Sequence, residues 1–364
     1  MNFTVNIRTL TPLHISSGSV LLRDYDYVTA GGRTFVLDQD AVLDDVFART
    51  NVVPTQPAGK LISPGELRED SRFVRYTIQN ETRLNQIHEQ IKDVYGRCYL
   101  PGSSLKGALR TVLMAHAIRS SAISPRPETL ADDPDPRSAD DRWDKAVFGD
   151  NPNQDLLRAL QVADSQPLPK QPSPLRLLNV RAFSATDTTS IPIAVEAIAH
   201  NISFTTTLHI EDWLLQEKQA RRLGWDNKTE WLTQLPTLAN TRARERLEQE
   251  RQFAFEHKFE HTTRALDQLL AGLNKLTPSQ FFLQLGWGTG WTGMTIVSVL
   301  PPETQKHIRV RYKLGKPPRA SRQWQVDVTQ PFPKSRRLQV ARGEGVNAEP
   351  GVPLGWVLVE VKAR

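Results

Sequence analysis

The sequence predicts an α+β fold, and three observations carry that prediction. Phe3, Val5 and Ile7 alternate with Thr4, Asn6 and Arg8, the period-two pattern of a half-buried strand. Leu105, Leu109, Val112, Leu113 and Ala117 recur at helical spacing. The last third returns to strand-like runs that close in Trp356-Val357-Leu358-Val359. With 39% hydrophobic and 24% charged residues over 364 positions, the chain has the composition of a folded protein and not of a disordered one.

Each element has a local reason. The first strand ends near Pro12, and the small polar loop Ser16-Ser17-Gly18-Ser19 follows. Residues 25–28 and 34–37 flank Ala30-Gly31-Gly32-Arg33, whose paired glycines predict a hairpin. Asp38-Gln39-Asp40 supplies an N-cap to a short helix carrying Val42, Leu43, Val46 and Phe47. Residues 51–95 are polar and read as an insertion, helical in its second half around Leu84, Ile87 and Ile91. Prolines and acids without periodicity mark 121–145 as a mobile loop. A second proline cluster, 167–174, separates strand-like runs at 157–162 and 175–183. Residues 191–198 and 202–210 are β-rich and meet at Ala199-His200-Asn201 as a hairpin. Residues 211–276 are helical, with the charged run 242–251 placed on an exposed helix surface.

Composition excludes several classes. No apolar run approaches 18 residues, and residues 1–10 lack a charged region followed by an apolar one, so no membrane span, membrane partner or signal peptide is expected. Cys98 is the only cysteine, which excludes an internal disulfide and a cysteine-built zinc site and fits a reducing cytoplasm. Net charge is +6, unevenly spread: residues 305–343 hold eleven Lys or Arg against one acid, Asp327. Tyr312, Trp324 and Phe332 are interleaved with those cations. Basic and aromatic residues in one stretch suit nucleic acid, although a solvated basic face has the same composition.

Two glycine segments carry chemistry. In YLPGSSLKGALR, residues 99–110, Lys106 precedes Gly107 and Ala108 follows, which is the wrong order for a nucleotide-hydrolysing phosphate loop. Pro101-Gly102 reads as a turn and Ser103 or Ser104 as an N-cap, with free amides that favour an anion. Lys106 and Arg110 lie one helical turn apart and project along the same side, so the segment can hold phosphates of a polymer without reading bases. A capped amphipathic helix with ordinary surface cations fits the same spacing. Residues 286–293, GWGTGWTG, contain a formal GxGxxG, but the β-branched run behind it stops at Pro301-Pro302 and leaves no helix to carry a pyrophosphate. A glycine loop with two tryptophans suits a nucleic-acid backbone and stacked bases, or a tight turn packed by tryptophan.

Candidate catalytic and metal groups are sparse. His257 and His261 sit i, i+4 on a charged helix without a clear third ligand, so no metal or other cofactor is expected. Asp24 and Asp26 flank Tyr25, and His14 precedes the serine loop. Carboxylates or an imidazole beside an RNA backbone could assist its cleavage, whereas two solvated acids are the plainer reading.

Taken in order, PLHISSG, YLPGSSLKGALR, GWGTGWTG and FPKSRRL…PLGWVLVEV resemble the CRISPR-associated RAMP superfamily of RNA-binding proteins. The PLHI segment, DYDYV, VEAIAHNISF and the closing PKSRR…PLGW are most similar to the family of fifth Csm subunits of type III-A effector complexes. Ser16 stands where a glycine is usual in that pattern, which bears on how closely RNA can approach. The resemblance implies one RRM-like (ferredoxin-like) core assembled from discontinuous segments, with insertions at 51–95, 121–145 and 211–276.

It further implies a non-catalytic subunit that binds guide crRNA, meets target RNA indirectly, and touches neighbouring Csm backbone and small subunits. Such a subunit caps the backbone at the guide 3′ end and supports crRNA maturation and antiviral defence by protecting RNA and gathering host nucleases. The expected RNA-binding residues are His14, Ser16, Ser17, Gly18, Gly102, Ser103, Ser104, Lys106, Gly107, Arg110, Gly286, Gly288, Gly290, Trp291, Lys334, Arg336 and Arg337. The alternative is a RAMP endoribonuclease cutting target or guide RNA through Asp24 or Asp26, or through His14.

Overall fold

Two β-sheets meet along a seam, and the chain crosses between them repeatedly. The computed structural model describes residues 1–184, 190–315 and 326–364. Strands in the first part are β1 (Asn2–Thr9), β2 (Ser16–Leu22), β3 (Tyr27–Ala30), β4 (Arg33–Leu37), β5 (Val74–Gln79) and β6 (Gln86–Gln90). The middle holds β7 (Leu160–Val162), β8 (Leu175–Ser184), β9 (Ile193–Ile198) and β10 (Ser203–Ile210). The rest are β11 (Gln280–Gln284), β12 (Ser335–Arg342), β13 (Glu349–Pro353) and β14 (Trp356–Ala363). Helices of eight residues or more, among the described residues, are α1 (Gln39–Thr50), α2 (Gly102–Arg119), α3 (Asp141–Phe148), α4 (Leu235–Glu256), α5 (Glu260–Leu273) and α6 (Pro302–Arg311).

The first sheet is antiparallel in the order β11-β14-β1-β10-β7. β1 is central, and Val5 and Ile7 are wholly buried as their alternation predicts. With α2 following β1 and α4 following β10, the strands β14-β1-β10-β7 reproduce the β-α-β-β-α-β arrangement of a ferredoxin-like, RRM-like core. Leu105, Leu109, Val112 and Leu113 of α2 pack with Val5, Ile7, Phe204 and Val357 in the main core. α4 runs along the free edge of β11, where the Asn240 amide donates to the Gln280 carbonyl and accepts from the Phe282 N–H. That covers a strand edge which would otherwise invite pairing.

The second sheet runs β2-β6-β9-β8-β5-β4-β3, with β12 added on β8 and β13 on β12. The hairpin of β3 and β4 and the Asp38 cap of α1 agree with the sequence: Asp38 Oδ1 accepts from the Ala41 N–H at 3.1 Å. Other expectations fail for identifiable reasons. Ile87 lies in a strand and not in a helix, because β6 is paired on both sides by β2 and β9; tertiary pairing overrides the i, i+3 spacing. β9 and β10 are no hairpin: β9 belongs to the second sheet and β10 to the first. The segment joining them runs beside the β1–β2 crossing, tied by Leu13 and Ile198.

The second half of the glycine loop is one short helical turn, Gly290–Met294, and the run after it holds a 3-10 turn, Val297–Val299. The 121–145 segment carries 3-10 turns at Pro127–Thr129 and Pro136–Ser138, with Thr304 donating to the Pro125 carbonyl and Arg311 to that of Ala131. Of residues 305–343, 305–311 lie in α6 and 335–342 in β12, and Trp324 lies outside the described residues. No helix among the described residues is long and apolar enough to cross a membrane.

Candidate nucleic-acid interface

The glycine loop springs from the seam between the sheets. The Trp287 N–H donates to the His14 carbonyl, Leu285 to Gly355 and Gly355 to Pro12, each at 2.8 Å, so three passes of chain are laced together there. Gly286 has φ +77°, and a Cβ on it would come within 2.3 Å of the His14 oxygen. Only glycine supplies both the left-handed backbone and the close approach.

Beyond the seam the loop walls a cleft of about 340 Å³. Gly288, Gly290 and Trp291 form one side, while Ser335, Arg336 and Arg337 of β12 and Arg246 and Glu250 of α4 complete it. Glu250 is the only carboxylate among these lining residues, and two guanidiniums share it: Arg246 Nη1 at 3.0 Å and Arg336 Nε at 2.5 Å. Arg337 carries a third positive charge, so the cleft is basic.

Period-two alternation sends Arg336 and Arg337 of β12 opposite ways. Arg336 turns inward, stacks 3.9 Å over Phe253, binds Glu250 and donates to the Pro333 carbonyl at 3.0 Å. It pins the strand to α4. Arg337 is exposed and lies 4.9 Å over the Trp287 ring. Lys334 is exposed just before β12 and does not line the cleft. Trp287 is also met edge-on by His14 at 5.7 Å and stacked by His88 at 6.2 Å, while Trp291 packs on Phe332 at 4.8 Å. Both tryptophans are half-buried and brace the loop.

The underside of the loop is held by α4, against the expectation of an exposed charged helix. Arg242 and Arg246 are 6% and 4% exposed, because i, i+4 spacing aims both toward the loop. Arg242 donates to Ser298 Oγ at 2.7 Å and to the Thr295 carbonyl at 3.0 Å. Burial, with Arg246 and Arg119 nearby, lowers its pKa to about 9, so it is charged at neutral pH.

The PGSSLKGALR segment sits apart from this cleft. No serine caps α2: Pro101 occupies the N-cap, and the first amide, of Gly102, donates to Asp164 Oδ1 at 2.8 Å. A carboxylate thus already stands at the helix end expected to hold a phosphate. Gly102 is buried because a Cβ would strike the Val162 carbonyl at 2.3 Å, so its role is close packing against the end of β7. Ser103 and Gly107 are exposed, and Ser104 is half-buried. Lys106 and Arg110 do share one side, where they line a separate cleft of about 450 Å³ with Asp144, Asp150 and Asp155. Arg110 is engaged there: Asp144 holds it at 2.6 Å and Asp155 at 2.8 Å, and its guanidinium lies 3.9 Å over Phe148. Burial opposes its charge, but the two carboxylates raise its pKa on balance, whereas burial lowers that of Lys106.

Ser16, Ser17 and Gly18 are exposed on β2, with Ser17 Oγ donating to Glu89 at 3.0 Å. His14 is buried, its Nδ1 2.6 Å from the Glu196 carbonyl. Burial lowers its pKa to about 4. Asp24 lies past the opposite end of β2 from His14. Asp26 accepts from the Leu22 N–H at 2.7 Å and from the Gln39 amide at 2.5 Å. His14 thus precedes β2, and Asp24 and Asp26 both follow it. No cluster of three potential metal-ligating side chains occurs among the described residues. Trp287 stood in the quoted motif but not among the expected RNA-binding residues. His88 had no sequence signal, and Arg242, Arg246 and Glu250 stood only in the charged run expected on an exposed helix surface, because their role depends on which elements pack together.

A ferredoxin-like core with a basic cleft at its glycine loop defines the class of fold. The RAMP superfamily model matches residues 6–292, and the chain belongs to the RAMP superfamily. A curated relative, the CRISPR system Cms protein Csm5 of Streptococcus thermophilus, is 26% identical over 171 residues. The match covers 42% of this chain and 44% of that relative, so the chain matches less than half of the relative's length. Among solved structures, a chain of a Csm-crRNA-target RNA ternary complex from a type III-A CRISPR-Cas system superposes with a TM-score of 0.69. It is 24% identical, covering 98% of this chain and 100% of that one. The crystal structure of T. onnurineus Csm5 gives 0.64 at 22% identity, covering 97% and 99%. These likenesses show the fold.

Proposed function

We propose that this chain is a non-catalytic guide-RNA-binding subunit of a type III-A CRISPR Csm complex. The observation that carries the reading is the convergence, in a RAMP chain, of the glycine loop and β12 on one basic cleft. Lys334 and Arg337 would contact phosphates, the loop would lie against the backbone, and exposed Ser16 to Gly18 and Lys106 would extend the path. Such contacts position a polymer without reading its bases. Likeness to a chain from a Csm-crRNA-target RNA complex supports crRNA as the polymer and neighbouring Csm subunits as partners. Likeness to Csm5 supports a place capping the backbone at the guide 3′ end, where the chain would protect RNA during maturation. The burial of His14 against the Glu196 carbonyl, and the occupied carboxylate of Asp26, favour a binding role over cleavage.

The test is RNA binding by the Lys334→Ala/Arg337→Ala variant across a salt series. Affinity should fall and the salt slope should become shallower by roughly 0.7 per lost contact on a single strand. Unchanged affinity in a folded double variant would remove the cleft from the RNA path. Cleavage of labelled target RNA by the purified complex should be the same with Asp24→Ala or Asp26→Ala. Loss of one particular cut would instead establish the endoribonuclease.

A further inference from the structure

Helix α6 reaches the cleft of the glycine loop without lining it. Its Arg309 is buried and sends Nη2 to the Asp327 carbonyl at 2.8 Å. Nη1 donates to the carbonyls of Gln330 at 2.9 Å and Val328 at 3.3 Å. The same guanidinium lies 5.1 Å from the centre of the Phe332 ring. Gly315, just past α6, also abuts that ring: at φ +76° a Cβ there would come within 2.9 Å of it. Phe332 in turn meets Trp291 of the glycine loop edge-on at 4.8 Å. The residues that follow, Pro333, Ser335, Arg336 and Arg337, line the cleft opposite Trp291. Residues 327–333 need such an anchor, because among the described residues they make no backbone–backbone hydrogen bond. A planar guanidinium offers several donors at fixed angles and stacks on an aromatic ring, which an ammonium does not match.

We infer that Arg309 is a positioning residue for RNA binding, an inference that rests on the RNA reading of the cleft. Arg309 gathers the three carbonyls and Phe332, and so fixes how far β12 stands from the glycine loop, without touching RNA itself. Two consequences follow from that placement. Apparent affinity scales with the fraction of molecules whose walls stand in place, so releasing the walls weakens binding in proportion. The exposed cations Lys334 and Arg337 are unaltered by a change at Arg309, so the number of phosphates neutralised, and with it the salt slope, stays the same.

The experiment measures binding of the full chain to single-stranded RNA across a salt series, at a temperature where every variant is folded. Arg309→Met keeps an apolar stem against Phe332 and removes the donors. Its affinity should fall about tenfold, as when the walls are in place roughly a tenth of the time, with an unchanged salt slope. In the free protein, hydrogen exchange at the amides of Val328, Thr329, Gln330 and Phe332 should quicken. Phe332→Leu should also weaken binding, and combining the two should cost less than the sum, because both act through one contact. A lower Tm with RNA affinity unchanged in Arg309→Met, while Lys334→Ala/Arg337→Ala loses affinity, overturns the inference and leaves the RNA cleft standing. A shallower slope in Arg309→Met overturns it as well, since that would make Arg309 a direct phosphate contact. Unchanged affinity in both variants removes the RNA cleft and the inference together. Should Arg309→Met not fold, Phe332→Leu decides by the same affinity and slope.

Discussion

The two glycine segments, PGSSLKGALR and GWGTGWTG, look alike as composition and differ as surfaces. In the first, Gly102 lets the helix start press on a strand end, and Arg110 is matched by two acids from distant parts of the chain. In the second, Gly286 turns the chain at the seam, and three arginines line a cleft with one carboxylate. The difference teaches that a cation's availability depends on its counter-ion. Here the counter-ions come from residues 34 to 86 positions away in sequence.

The comparison can be broken most forcefully at Glu250. Glu250→Ala leaves Arg246 buried and Arg336 without its carboxylate, and should destabilise the fold by about 3–5 kcal/mol in denaturant unfolding. A cost near that of a surface change would mean that the cleft is not held from below.

The seam offers a pH test. His14 is buried and neutral, with its pKa lowered to about 4 from 6.5. Its folded value is depressed, so its stabilising contribution is complete above pH 6.5 and is lost as pH falls toward 4, because the unfolded chain binds the proton first. The loss should approach about 3 kcal/mol. Asn in its place keeps a donor for the Glu196 carbonyl and should flatten this acid limb in a stability–pH series.

A third test separates the two segments directly. Lys334→Ala/Arg337→Ala should lower RNA affinity with little change in stability, since both side chains are exposed. Arg110→Ala should do the reverse, costing about 1–2 kcal/mol through its lost ion pairs and its contact with Phe148 while RNA affinity changes little. Equal losses of RNA affinity in both variants would erase the distinction. Lys106→Ala, whose cation has no such pair of carboxylates holding it, is the finer gauge and should fall between them.

Much of the architecture was legible in the residues. Alternation placed β1, helical spacing placed α2, and the Asp38 cap placed α1, since each depends on neighbours a few positions apart. β6 escapes a local reading because its identity rests on two partner strands, and the hairpin expected of 191–198 and 202–210 fails because its halves pair in different sheets. The site divided similarly. Glycines at 286, 288 and 290 and the basic Lys334, Arg336 and Arg337 were visible, whereas the inward turn of Arg336 and the burial of Arg242 and Arg246 were not.

By itself the sequence determined the α+β class, the positions where glycine alone could turn the chain, and an excess of positive charge toward the C-terminus. Tertiary structure alone decided which of those charges are spent inside and which face outward. The physical reason is that alternation and helical period are local properties of a few covalently linked residues. Neutralising or burying a charge, by contrast, depends on a carboxylate or carbonyl delivered by another element.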